Sequence, residues 1–268
     1  PFARAACCAR GHAGGGAARE QHAGFLERLA ACRDEEAGCD PRFELGLAEP
    51  LLGLWERALR RAELPVARTE GFNPRPKVHF GLALPTRYES DGEYLDVDLR
   101  EPEAGGVVLA ELPERLSPLL PPGRDVAAAA PVVPGTPSLQ QAVTSCSWRI
   151  EVPGLAPDKA ESAVAALLAS AELPVTRERK GRETTDDIRP EVLHLEVLEP
   201  LTQPGRPDGT VLGAELATQP RALRPSELVG AFAPPVEEGT VRRTHQWVTG
   251  DGERHEPLEI APVAAAAS

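Results

Sequence analysis

The heptapeptide "AELPVAR" at residues 62–68 returns as "AELPVTR" at residues 171–177, with only Ala67 and Thr176 differing. In both places it follows an apolar face at helical spacing. Ahead of the first copy, Leu51, Leu54, Trp55, Ala58, Leu59 and Ala62 recur at three- and four-residue intervals. Glu56, Arg57, Arg60 and Arg61 fall largely on the opposite side. Pro50 suits a first helical turn, where its missing N–H costs nothing, and Leu64-Pro65 ends the helix. Ahead of the second copy, Ala160, Ala163, Val164, Leu167 and Leu168 form the inward face of a helix over 156–170. After each copy a short strand begins, then cations: Arg75 and Lys77 in one case, Arg179, Lys180 and Arg182 in the other.

Working outward, the element order repeats as well. Residues 77–84 alternate, with Val78, Phe80, Leu82 and Leu84 against Lys77, His79, Gly81 and Ala83, the pattern of a half-buried strand. Residues 94–99 repeat the alternation, Leu95, Val97 and Leu99 against Tyr94, Asp96 and Asp98. A leading strand over 42–47, a helix over 107–119 and a strand over 125–133 complete a β-α-β-β-α-β order. The second half predicts strands at 148–152, 192–198, 210–217 and 241–248, with a helix opened by Pro225-Ser226-Glu227. The expected fold class is α+β, a duplicated βαββαβ of two ferredoxin-like split βαβ units. The boundaries expected are a poorly structured tail at 1–40, a first unit at 41–134, a linker at 135–145, a second unit at 146–250 and a disordered tail at 251–268.

Composition narrows the function. The formal net charge of −12 disfavours coating nucleic acid by bulk charge. Aromatics are 4% against 41% hydrophobic residues, so the core is built from Leu, Val and Ala. The 28 prolines and 24 glycines favour short elements and ordered turns. No apolar run approaches the roughly 20 residues that cross a bilayer, and no signal core follows a charged start; no membrane partner and a cytoplasmic location are expected. Cys7, Cys8, Cys32 and Cys39 crowd one end and Cys146 stands alone, which is not a disulfide framework. With His12 and His22 they lack the short paired spacings of a zinc site, so no metal and no cofactor are expected. Hydrolase elbows and phosphate loops are absent from the sequence.

The stretch "EGFNPRPKVHF" at 70–80 carries the functional signal. Pro74 and Pro76 fix two φ angles around Arg75 and Lys77, and Gly71 permits close approach of another backbone. A stiff loop loses little entropy on docking, which favours a binding role for Gly71, Phe72, Asn73, Pro74, Arg75, Pro76 and Lys77. Lys77, His79 and Asp96 share a sheet face that could do acid–base chemistry, but solvated cross-strand charge pairs are the favoured reading.

Residues 56–99 resemble a bacterial radical SAM-linked family of unknown function. The resemblance lies in an Arg-rich helix (Arg57, Arg60), G-F-N-P-x-P-K at Gly71 to Lys77, Phe80-Gly81-x-Ala83-Leu84-Pro85, and Glu89-Ser90-x-x-Glu93-Tyr94-Leu95-Asp96. A second stretch, "RERKGRETTDDIRP", supplies Lys180, Asp187, Ile188, Arg189 and Pro190. The family's Phe-Leu-Ser-His-x-Asp segment is replaced here by "PRFELGLAEPLLGLW". Family members occur fused to, or encoded beside, radical SAM proteins, so the resemblance implies such an enzyme as partner. The chain itself has no C-x-x-x-C-x-x-C for an iron–sulfur cluster, so it is expected to be non-catalytic on its own. Three functions compete: an accessory or substrate-recognition protein for a radical SAM enzyme, an independent RNA-binding or RNA-processing protein, and a small-molecule enzyme using Lys77, His79 and Asp96. The first carries the further expectation that Arg75 and Lys77 converge with Lys180, Arg182 and Arg189 on one surface.

Overall fold

The structure, a computed structural model, describes residues 2–8, 48–121, 124–179, 181–202, 207–250 and 252–258. Helix α1 (Ala48–Arg61) buries Trp55, Ala58, Leu59 and Ala62, the face read from the sequence. Arg60 and Arg61 occupy its last turn, where the helix dipole favours cations. The strands of this half are β1 (Phe2–Cys8), β2 (Val78–Phe80), β3 (Glu89–Ser90), β4 (Glu93–Asp98) and β5 (Asp125–Val132). They form an antiparallel sheet in the order β2-β4-β1-β5, with β3 paired elsewhere. Val78, Phe80, Leu95 and Val97 enter one core with α1 and the short helix α2 (Leu112–Leu116).

Several expectations change here. The leading strand expected at 42–47 lies outside the described residues. The place beside β4 and β5 is filled by β1, from within the stretch read as a tail at 1–40. The helix expected over 107–119 divides into 3₁₀ turns at Leu109–Glu111 and Ser117–Leu119 on either side of α2. Pro118 has no N–H to give and its ring collides with the preceding turn. The strand expected over 77–84 stops at Phe80, because Leu82 and Leu84 leave the first sheet and pack on the core of the second half.

That second half follows α3 (Leu139–Ala142), which Ser138 and Gln141 open as a capping box inside the expected linker. Its elements are β6 (Ser145–Pro153), α4 (Pro157–Ala169), β7 (Pro174–Arg179), β8 (Arg182–Asp187), β9 (Val192–Leu201), β10 (Gly209–Ala217), α5 (Pro225–Gly230), β11 (Val241–Gly250) and β12 (Glu253–His255). The sheet order is β12-β11-β6-β10-β9, and β3 adds in parallel to β11. β12 lies inside the expected C-terminal tail; residues 259–268 are outside the described residues. Trp148, Ile150 and Val152 alternate inward from β6 against Ala160, Val164 and Leu167 of α4 and Leu228 and Val229 of α5. Gly209 allows β10 to begin hard against β6: a Cβ there would lie 2.3 Å from the Val152 carbonyl oxygen.

The architecture is therefore mixed α+β, mostly sheet with few helices. Counting β1, β2, β4 and β5 as first to fourth, the order in the first sheet is second-third-first-fourth. Counting β6, β9, β10 and β11 likewise, the second sheet reads the same. Each half also inserts a hairpin after its first helix. In the second it is β7-β8; in the first, Val66 bridges to Leu99 and Arg68 to Pro76. Both heptapeptides run from a helix end into such a hairpin.

Candidate functional site

The residues 66–77 form the first hairpin, and its tip is the GFNPRPK segment. Thr69 N–H donates to the Arg75 carbonyl at 2.9 Å, and Arg75 N–H donates back to Thr69 Oγ1 at 3.0 Å. Lys77 N–H donates to Ala67 O at 2.8 Å, and Ala67 N–H reaches Asp98 O at 2.7 Å, fastening the hairpin to the sheet. Arg68 Nη1 donates to Pro74 O at 3.2 Å across the tip. Gly71 has φ +125°, where an L side chain is strained, yet nothing lies within 4 Å of where its Cβ would be. Its glycine therefore answers a backbone need of the turn. Phe72 beside it is completely exposed, and Asn73, Pro74, Arg75 and Lys77 are exposed with it. Pro76 is half-buried at the base.

The Glu-Ser-x-x-Glu-Tyr segment does something different. It holds the two halves together. Arg242 Nη2 donates to Glu89 Oε2 at 2.6 Å, and Asp91 N–H donates to the Arg243 carbonyl at 2.8 Å. Arg243 is buried, with Nη2 2.5 Å from Glu93 Oε1 and 2.9 Å from the Leu82 carbonyl. Its guanidinium lies 5.7 Å from the Trp148 ring centroid, a cation–π distance. Gln246 Nε2 donates to Gly92 O at 2.8 Å, and Ser90 Oγ accepts from Gly92 N–H at 3.4 Å. Tyr88 meets Trp148 edge-on at 5.8 Å, and its hydroxyl donates to Glu238 at 2.9 Å. Burial raises the Glu238 carboxyl above its usual range, and burial followed by the Glu238 bond raises the Tyr88 phenol. Tyr94 is buried against Leu139.

Arg242, Arg243, Gln246 and Trp148 were not singled out from the sequence. One signal was there: Val241 and Arg243 share strand parity, so a cation falls on an apolar face and needs a partner.

Among the remaining candidates, His79 faces Asp98 rather than Asp96, with Nε2 3.5 Å from Oδ1. That oxygen accepts no hydrogen bond among the described residues. Asp96 is buried opposite His79 in register and is itself engaged, while Lys77 is exposed. Arg57 and Arg60 are exposed on α1. Asp187 Oδ1 accepts from Leu173 N–H at 2.6 Å and Arg189 N–H at 3.0 Å, and these two bonds pull its carboxyl below the usual range. Arg189 spends Nη1 on Val192 O and Nη2 on Leu168 O, so it ties α4 to β9. Lys180 lies outside the described residues, as does the side chain of Arg182. Cys146 is buried and its thiol is pushed up to about 11 by that burial, which keeps it protonated and unreactive. Among the described residues no three His, Cys, Asp or Glu side chains are placed to hold a metal ion. Nor is any described helix long and apolar enough to cross a membrane.

No curated protein matches the chain. A family model does, from the first helix of the first half to the last helix of the second, and by that match over residues 50–225 the chain belongs to a family described as uncharacterized protein conserved in bacteria (DUF2344).

Proposed function

We propose that the chain is a non-catalytic recognition protein that docks a partner through the hairpin tip at Gly71 to Lys77, the partner being a radical SAM enzyme. One observation carries the docking role: Phe72 projects fully exposed from a tip whose backbone is tied at both strands and stiffened by Pro74 and Pro76. A large exposed aromatic loses solvation gains unless something covers it, and a pre-ordered tip binds with little entropy cost. Arg75 and Lys77 flank it with charge that no side chain among the described residues pairs, suited to an acidic rim. The radical SAM partner rests on the sequence resemblance, and the missing cluster motif is consistent with an accessory role.

The same reading takes the two halves as duplicated ferredoxin-like units. The matching strand orders and the matching places of the two heptapeptides support it, and equivalence of Leu64 and Leu173 on superposing the halves is its test.

Co-purification with a radical SAM protein tests the partner. Wild type is expected to retain that protein, while Phe72→Ser and Lys77→Ala lose it with the unfolding midpoint unchanged, since exposed groups contribute little stability. Retention equal to wild type in both variants sinks the docking role. A second reading, RNA on the same tip, draws on the combination of an exposed aromatic and cations, which stacks bases. Binding of single-stranded RNA that weakens steeply with salt, with no protein partner retained, favours it instead.

A further inference from the structure

Beside the hairpin, the first half forms an open cleft of about 970 Å³. Its size falls at the upper end of the roughly 300–1,000 Å³ typical of small-molecule sites. Four arginines line it from four separate places: Arg60 at the end of α1, Arg68 on the hairpin, Arg100 after β4 and Arg115 on α2. Such convergence is notable for its charge alone, in a chain with a formal net charge of −12. Two of the four are already held in place. Arg115 Nη2 donates to Ala62 O at 2.6 Å, and Arg68 Nη1 to Pro74 O at 3.2 Å. A guanidinium has five N–H donors, so each anchor leaves several to present in a fixed direction.

Glu56, Glu63 and Glu103 also line the cleft, yet among the described residues none forms an ion pair with any of the four arginines. The cations are thus not spent on the carboxylates nearest to them. Leu64, Val66 and Val107 supply apolar wall.

We propose that this cleft binds a small phosphorylated molecule that also carries hydroxyl groups. A phosphate monoester brings close to two negative charges and three acceptor oxygens, which matches several guanidinium groups better than one carboxylate does. The glutamates accept from ligand hydroxyls and disfavour a ligand that is anionic along its whole length. Arg60 and Arg100 take the phosphate without losing any existing bond; Arg68 and Arg115 orient toward it from their carbonyl anchors. The cleft adjoins the docking tip, since Pro74 and Pro76 line it, but Phe72 does not, so a Phe72 variant tells the two roles apart.

Calorimetric titration of the full chain with ribose 5-phosphate, inorganic phosphate and ribose tests it. Ribose 5-phosphate is expected to bind, phosphate to bind more weakly, and ribose not at all. Arg60→Gln and Arg100→Gln touch exposed side chains with no bonds among the described residues, so both variants fold. Each is expected to weaken ribose 5-phosphate about tenfold, the effect of one lost charge-assisted hydrogen bond. Phe72→Ser is expected to leave that affinity unchanged. Absence of binding by both phosphate compounds overturns the proposal. So does ribose binding as tightly as its phosphate, unchanged affinity in both arginine variants, or an equal loss in Phe72→Ser.

Discussion

Asp187 accepts two main-chain N–H groups on one carboxylate oxygen, from Leu173 and Arg189. Both bonds favour the ionised form, so the carboxyl titrates below the usual Asp range in the folded chain. The sign follows: with the folded value below the unfolded one, its stabilisation is complete above the ordinary Asp value of about 3.9 and is lost as pH falls through the lowered value. Asp187→Asn keeps an acceptor oxygen but no charge. The urea midpoint of wild type should exceed that of the variant most near about pH 6, and the gap should close toward about pH 3. A gap that stays constant across that range would show that ionisation is not what the two bonds use. At this scale the sequence was partly legible. The Asp-Ile-Arg stretch was marked as important, but its role at the foot of the β7-β8 hairpin depends on Leu173 and Leu168, which only the chain reversal brings to it.

Hairpins decide the next scale. In the first half the tip is set by Gly71, whose φ of +125° an alanine would adopt only with strain. Because no atom lies within 4 Å of the new Cβ, Gly71→Ala has no clash to relieve and only a backbone to distort. Its expected cost to global stability is that of local backbone strain, about 1–3 kcal/mol, whereas partner retention should fall as in Phe72→Ser. Equal partner retention with a displaced tip would detach recognition from loop geometry. Leu59→Ala gives the opposite outcome: it empties a buried position under α1. It should cost about 2–5 kcal/mol in chemical unfolding, with any loss of partner following the loss of fold. The helices and most strands were legible from period and punctuation, since each is local. Residues 81–84 were not, because their alternation is that of a strand while their apolar side chains are taken up by another core.

Across the whole molecule, the buried cation Arg243 helps to join the halves. Arg243, on β11, meets Glu93 and the Leu82 carbonyl of the first half and the Trp148 ring of its own. Truncating it leaves Glu93 unpaired and opens space against Trp148. Arg243→Ala should therefore destabilise by about 3 kcal/mol, toward the lower end for a buried pair because Glu93 retains some solvent contact. It should also divide thermal unfolding into two calorimetric transitions, one for each half. A single transition with an unchanged midpoint would mean that the β3–β11 pairing and the Tyr88–Trp148 contact suffice without the cation. β11, at Val241–Gly250, lies beyond the 50–225 span of the family match, so the strand gripped by Glu89 and Glu93 is outside the segment that contains them.

By itself the sequence determined the α+β class, the apolar face of α1, the strands at β4 and β6, and the stiffness of the Gly71 to Lys77 tip. These follow from neighbours within a few residues, where helical and strand periods and fixed proline φ angles act. Tertiary structure alone decided that Glu89 and Glu93 grip Arg242 and Arg243 instead of a ligand, and that His79 faces Asp98. It also decided that four arginines from four elements share one cleft. Polar groups separated by up to 161 residues, as in the bond from Arg243 to the Leu82 carbonyl, become neighbours only when two sheets are packed, and no local period records that packing.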